Sequence, residues 1–80
     1  MNERKTPIEA WDEFYEWVRK QPEWKIYSRA EKEKVYDANT ARKGQRKFKL
    51  DARRIANIIE KFAPGRYEFH EGEPYFIRKG

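Results

Sequence analysis

Apolar side chains recur at helical spacing near the start of the chain, at Ile8, Trp11, Phe14, Tyr15 and Val18. Spacing of three and four predicts an amphipathic helix. Its start is marked by Thr6-Pro7-Ile8-Glu9. Thr6 supplies a capping hydroxyl, Pro7 suits the first helical position, and Glu9 completes a capping box. Arg19 and Lys20 complement the dipole of the last turn, and Gln21-Pro22 ends the helix, which is expected over residues 7–20. The connector that follows carries Trp24, Ile26 and Tyr27, expected to pack on this helix. Ser28 with Glu31 forms a second capping box and opens a helix expected over 29–42. Its apolar face is thin: Ala30, Val35, Ala38 and Ala41, with Tyr36 beside it. Gly44 suits its C-terminal end.

The pattern then changes period. Residues 46–50, Arg-Lys-Phe-Lys-Leu, alternate charged and apolar side chains, which is a strand signal. Asp51 is placed to cap a third helix whose buried stripe is Ala52, Ile55, Ala56, Ile59 and Phe62. Arg53, Asn57, Glu60 and Lys61 fall on its outward side, and Ala63-Pro64-Gly65 ends it. Two aromatic-rich runs, 66–70 and 75–79, flank Glu71-Gly72-Glu73-Pro74 as a hairpin. Two registers fit. One pairs His70 with Tyr75 and Phe69 with Phe76. The other pairs Tyr67 with Ile77 and Phe69 with Tyr75, gathers the apolar residues on one face, and leaves Phe76 outward. The second is preferred because a register that wets apolar side chains is costly. The expected fold is a single small α+β domain of three helices packed on a small three-stranded sheet, in the order α-α-β-α-β-β. Strand 75–79 lies between 46–50 and 66–70, and residues 1–5 form a disordered extension.

Composition sharpens this picture. The 80 residues are 41% charged with a mean hydropathy of −1.26, yet 16% are aromatic, enough large side chains to build a core. The absence of cysteine removes disulfides and thiolate metal sites. No apolar stretch approaches a membrane span, and the N-terminus has no signal-peptide core, so the expectation is a cytoplasmic protein. The net charge of +5 is uneven. Residues 1–41 hold eight Lys/Arg against nine Asp/Glu, whereas 42–80 hold eleven against five. Segment 41–54 alone has seven cations and one acid, Asp51.

A cationic strip of this density suits a polyanion, since each phosphate neutralised on DNA releases counterion. The candidate nucleic-acid-binding residues are Arg42, Lys43, Arg46, Lys47, Lys49, Arg53, Arg54, Asn57, Lys61, Arg66 and Arg78. Arginine suits bidentate contacts to phosphate or guanine. Lys47 and Lys49 have a competing explanation as protectors of an exposed strand edge. Catalysis has little to draw on. His70 is the single histidine, the hydroxyls of Thr6 and Ser28 are used as caps, and the four glycines form no phosphate-binding loop. Glu68, His70, Glu71 and Glu73 cluster in the hairpin but match no metal-ligand spacing. No enzyme activity, cofactor or metal is expected. The aromatics Trp11, Phe14 and Tyr15 read as core, while Trp17 falls off the main face and with Trp24 forms a candidate surface patch.

Residues 51–80, running from Asp51 through the hairpin, resemble the helix-plus-wing part of winged-helix DNA-binding domains. The resemblance implies that the third helix faces the DNA groove with Arg53, Asn57 and Lys61, and that the turn at Gly72 is the wing tip. It departs from that family in having room for one helix, not two, between strand 46–50 and the hairpin. The leading expectation is a non-enzymatic nucleic-acid-binding protein, with DNA favoured over RNA as the partner and no membrane association. The alternative is a small phage or mobile-element interaction protein, an inhibitor or adaptor that binds a host protein or a nucleic-acid-handling enzyme.

Overall fold

The computed structural model describes residues 3–43 and 52–79. The elements are strand β1 (Arg4–Lys5), helix α1 (Pro7–Arg19), a short 3-10 helix (Pro22–Ile26), helices α2 (Arg29–Lys43) and α3 (Ala52–Phe62), and strands β2 (Tyr67–His70) and β3 (Tyr75–Arg78). The fold is α+β, three helices with a three-stranded antiparallel sheet of order β1-β3-β2.

Both capping boxes form. Thr6 Oγ1 accepts from the Glu9 amide at 3.2 Å, and the Glu9 carboxylate accepts from the Thr6 amide at 3.0 Å. Ser28 and Glu31 repeat the exchange at 3.2 and 3.1 Å. Each satisfies donors that a helix start leaves orphaned, which explains why both helices begin where the sequence places them.

The core is one cluster. Ala10, Trp11, Phe14 and Val18 of α1 meet Val35 and Ala38 of α2, Ile55, Ile59 and Phe62 of α3, and Tyr67 and Phe76 of the sheet. One buried polar residue joins it: Asn39 of α2, whose Oδ1 accepts from Trp11 Nε1 at 3.1 Å. That bond lets the large indole be fully buried without an orphaned N–H. The connector divides. Trp24 and Tyr27 pack against the core, but Ile26, expected to do the same, is 81% exposed. Ala30, expected on the apolar face of α2, is likewise exposed.

The sheet corrects the sequence reading in two places. β3 is central as expected, but the edge opposite β2 is held by β1, with Arg4 opposite Ile77 and Lys5 opposite Phe76. Residues 46–50, expected at that edge, and the expected Asp51 cap lie outside the described residues. Arg4 and Lys5, expected in a disordered extension, are thus part of the sheet. The hairpin register is also the one not preferred: His70 pairs with Tyr75 and Phe69 with Phe76. Alternation then puts Tyr67, Phe69 and Phe76 on the helix-facing side, where Phe76, expected outward, is 1% exposed.

This register is tolerable because the outer face shields its own apolar groups. The Tyr75 ring is sandwiched between the Arg4 guanidinium, 3.9 Å from its centroid, and the His70 ring, stacked at 4.6 Å. The same Arg4 guanidinium is held by the Glu73 carboxylate at 2.9 Å. Phe69 and Phe76 meanwhile pack ring to ring at 4.9 Å on the inner face. The register also needs a connection of only four residues, 71–74, a common hairpin length.

Candidate functional site

Helix α3 has a sharp division between faces. Ile55, Ile59 and Phe62 point into the core, and Arg53, Arg54, Asn57, Glu60 and Lys61 are all exposed. A period of 3.6 residues places these five on one continuous outward surface. The structure therefore brings together four of the candidate residues, Arg53, Arg54, Asn57 and Lys61. Their charges are not equally available. Arg53 pairs with Glu71 of the hairpin connection. Arg54 and Lys43, the latter at the exposed end of α2, have no carboxylate partner among the described residues, and Lys61 makes no close ion pair but lies within electrostatic reach of Glu31. Lys61 reaches over the Phe62 ring at 5.7 Å. Glu60 approaches the Gly65 amide at 3.5 Å and so leans toward the helix end.

The other candidates sit elsewhere. Arg42 turns toward α1 and makes a bidentate pair with Asp12, at 3.0 and 2.9 Å, which leaves its side chain 30% exposed. Arg66 lies where α3 gives way to β2, with its guanidinium 4.5 Å from the Trp17 ring centroid. Arg78 stands at the end of β3, 3.7 Å from Glu13. Arg46, Lys47 and Lys49 lie outside the described residues. The described candidates thus form one group of four on α3, with Arg42 and Lys43 at the end of α2 and Arg66 and Arg78 elsewhere.

Arg78 belongs to a network centred on Glu13 of α1. Glu13 accepts from the Tyr67 hydroxyl and from Lys5 Nζ at 3.1 Å, tying α1 to β2 and β1. Burial pushes the Glu13 carboxyl upward, but hydrogen bonds from Tyr67 and Lys5, with the charges of Lys5 and Arg78, outweigh it and hold the group below its ordinary range. Lys5 is held above its ordinary value, chiefly by its hydrogen bond to Glu13. Tyr67 is pushed well up, first by burial and then by the Glu13 carboxylate. The effect is a neutral phenol, a carboxylate and an ammonium locked together, with no group poised for proton transfer near neutral pH. Among the described residues no group of three or more His, Asp or Glu is arranged to hold a metal ion.

Two surface features were not read from the pattern. Tyr36 is 43% exposed and meets Trp24 edge-on at 5.6 Å, so the expected Trp17–Trp24 patch is instead Trp24 with Tyr36. Trp17 contributes to a different place, a recess of about 390 Å³ shared with Tyr27, Phe62, Arg66 and Lys79. Trp17 falling off the main stripe of α1 was the one sequence signal for it. No known protein family, no curated protein and no solved structure matches this chain.

Proposed function

We propose that this protein is a non-enzymatic nucleic-acid-binding domain that contacts duplex DNA through the outward face of α3 and the adjoining basic segment. The observation that carries the reading is the exposed set Arg53, Arg54, Asn57 and Lys61, of which Arg54 and Lys61 make no close ion pair among the described residues, Lys61 lying only within longer electrostatic reach of Glu31. An exposed helix presenting guanidinium, amide and ammonium groups has the chemistry for phosphate positioning and for base contacts in a major groove. The resemblance of residues 51–80 to a helix followed by a wing supports the same docking surface. Cationic side chains at a helix start are mildly unfavourable to the helix dipole; Arg53 is offset by Glu71, whereas Arg54 is better explained by an external partner than by helix stability. The test is a titration of random-sequence duplex at rising salt. The reading expects binding at low salt that weakens steeply as salt increases, and no binding at low salt would end it.

A second reading, an inhibitor or adaptor that binds another protein, draws support from the exposed Ile26 and Tyr36, large apolar side chains left at the surface of a very polar chain. Pull-down from nuclease-treated lysate separates the two. A specific protein retained after nuclease favours this one, and loss of all bound material favours DNA.

A further inference from the structure

The recess beside Trp17 joins aromatic walls to cationic groups. It lies between the C-terminal ends of α1 and α3 and the 3-10 helix, and its volume of about 390 Å³ falls in the range of small-ligand sites, roughly 300–1,000 Å³. Trp17 and Tyr27 are half-buried and form its walls. Arg66 is also half-buried, and its position is set by stacking on Trp17 and by backbone bonds on either side. The Arg66 amide donates to Ala63 at 3.1 Å, and the Arg66 carbonyl accepts from Lys79 at 2.8 Å. The second bond brings Lys79 to the same mouth.

Neither cation has a carboxylate partner among the described residues, and Arg66 Nε is sealed from solvent with no hydrogen-bond partner. A half-buried guanidinium stacked on an aromatic ring, interacting with the Tyr67 hydroxyl but with no acid in ion-pair reach among the described residues, would favour an incoming anion. Two acceptors stand nearby. Gln21 donates through Nε2 to the Trp17 carbonyl at 3.2 Å, which leaves its Oε1 available, and the Glu23 carboxylate is exposed at the rim. Flat walls, two cations and amide and carboxylate acceptors together describe one ligand chemistry: a phosphate attached to a flat ring that bears N–H donors.

We infer that this recess binds a nucleoside monophosphate group, with the phosphate on Arg66 and Lys79 and the base against Trp17 and Tyr27. The group is either a free nucleotide or the phosphorylated end of a strand. The site is separate from the outward face of α3 and does not depend on duplex binding there.

The test uses the full chain and follows backbone amide shifts by NMR while AMP, adenosine or inorganic phosphate is added. AMP should move the amides of Gly65, Arg66 and Lys79, and bind at least tenfold more tightly than either fragment. Lys79→Ala removes an exposed charge and should weaken AMP several-fold with the far-UV spectrum and duplex binding unchanged. Arg66→Lys keeps the charge but loses the planar fork, and should weaken AMP as well. A 5′-phosphorylated oligonucleotide binding more tightly than AMP would identify a strand end as the source, and the reverse order a free nucleotide. The inference is overturned if AMP binds no better than phosphate, if the shifts map elsewhere, or if Lys79→Ala binds AMP as wild type does. In that event Arg66 and Lys79 serve only as complements to the C-terminal end of α3.

Discussion

Replacing Glu13 with Gln keeps the shape of the side chain and removes its charge. Glu13 is 26% exposed, and it accepts from the Tyr67 hydroxyl and from Lys5, which is itself 13% exposed. Hydrogen bonds to a charged group contribute about 1.5–3 kcal/mol each. Glutamine retains one acceptor oxygen, and Lys5 keeps Glu3 at 3.4 Å, so the two losses are partial. The expected destabilisation is about 2 kcal/mol, or a fall in Tm on the order of 10 °C for a domain this small. The acid side of the stability profile adds a signature. The carboxyl sits below its ordinary value of 4.5 in the folded state. Its contribution is therefore complete above that value and disappears as the pH drops through the lower folded-state value. Lys5 acts in the opposite direction, its share being lost only as pH rises beyond 10.5. Urea unfolding followed by tryptophan fluorescence, at pH 7 and through the acid range, measures both. Glu13→Gln should flatten the acid slope, and a double-mutant cycle with Tyr67→Phe should show coupling of about 1 kcal/mol. A loss below about 0.5 kcal/mol with no coupling and an unchanged acid slope would refute the network as the tie between α1 and the sheet.

Three further outcomes are expected. Phe76→Ala should cost about 3–5 kcal/mol, because the ring is fully enclosed, whereas Ile26→Ala should stay within about 0.5 kcal/mol; equal effects by denaturant titration would contradict the hairpin register. Asn39→Ala should cost about 1–3 kcal/mol by leaving the buried Trp11 N–H unpaired, and a neutral result in the same assay would place a water or another acceptor there. In duplex titrations, Lys47→Ala with Lys49→Ala should weaken all sequences alike, while Arg53→Ala or Asn57→Ala should change sequence preference; matched small effects from both sets would argue against groove recognition by α3.

The helices were legible because their signals are local. Thr6 with Glu9 and Ser28 with Glu31 specify both starts through side chains three residues apart, and the stripe Ile55-Ile59-Phe62 fixes the face of α3. The sheet was not, because its decisive contacts are distant in sequence. A two-residue strand with charged side chains, Arg4–Lys5, has no alternation to detect and is specified by Glu13 and β3. The His70–Tyr75 register was one of the two that the local pattern of 66–79 offered, but the Arg4 guanidinium that covers the other side of Tyr75 lies outside that pattern. The outward side of α3 was readable by the same reasoning as its buried stripe. The diversion of Arg42 to Asp12 and of Arg53 to Glu71 was not, since each pair joins different elements.

The most direct measurement compares the salt dependence of duplex binding for wild type and for Arg54→Ala/Lys61→Ala. Each phosphate contact contributes about 0.9 to the slope of log affinity against log salt. If α3 meets the DNA backbone through these two side chains, the slope should become shallower by about 1.8 while the far-UV spectrum is preserved. A double variant with the wild-type slope and affinity would mean that the exposed face of α3 does not touch DNA.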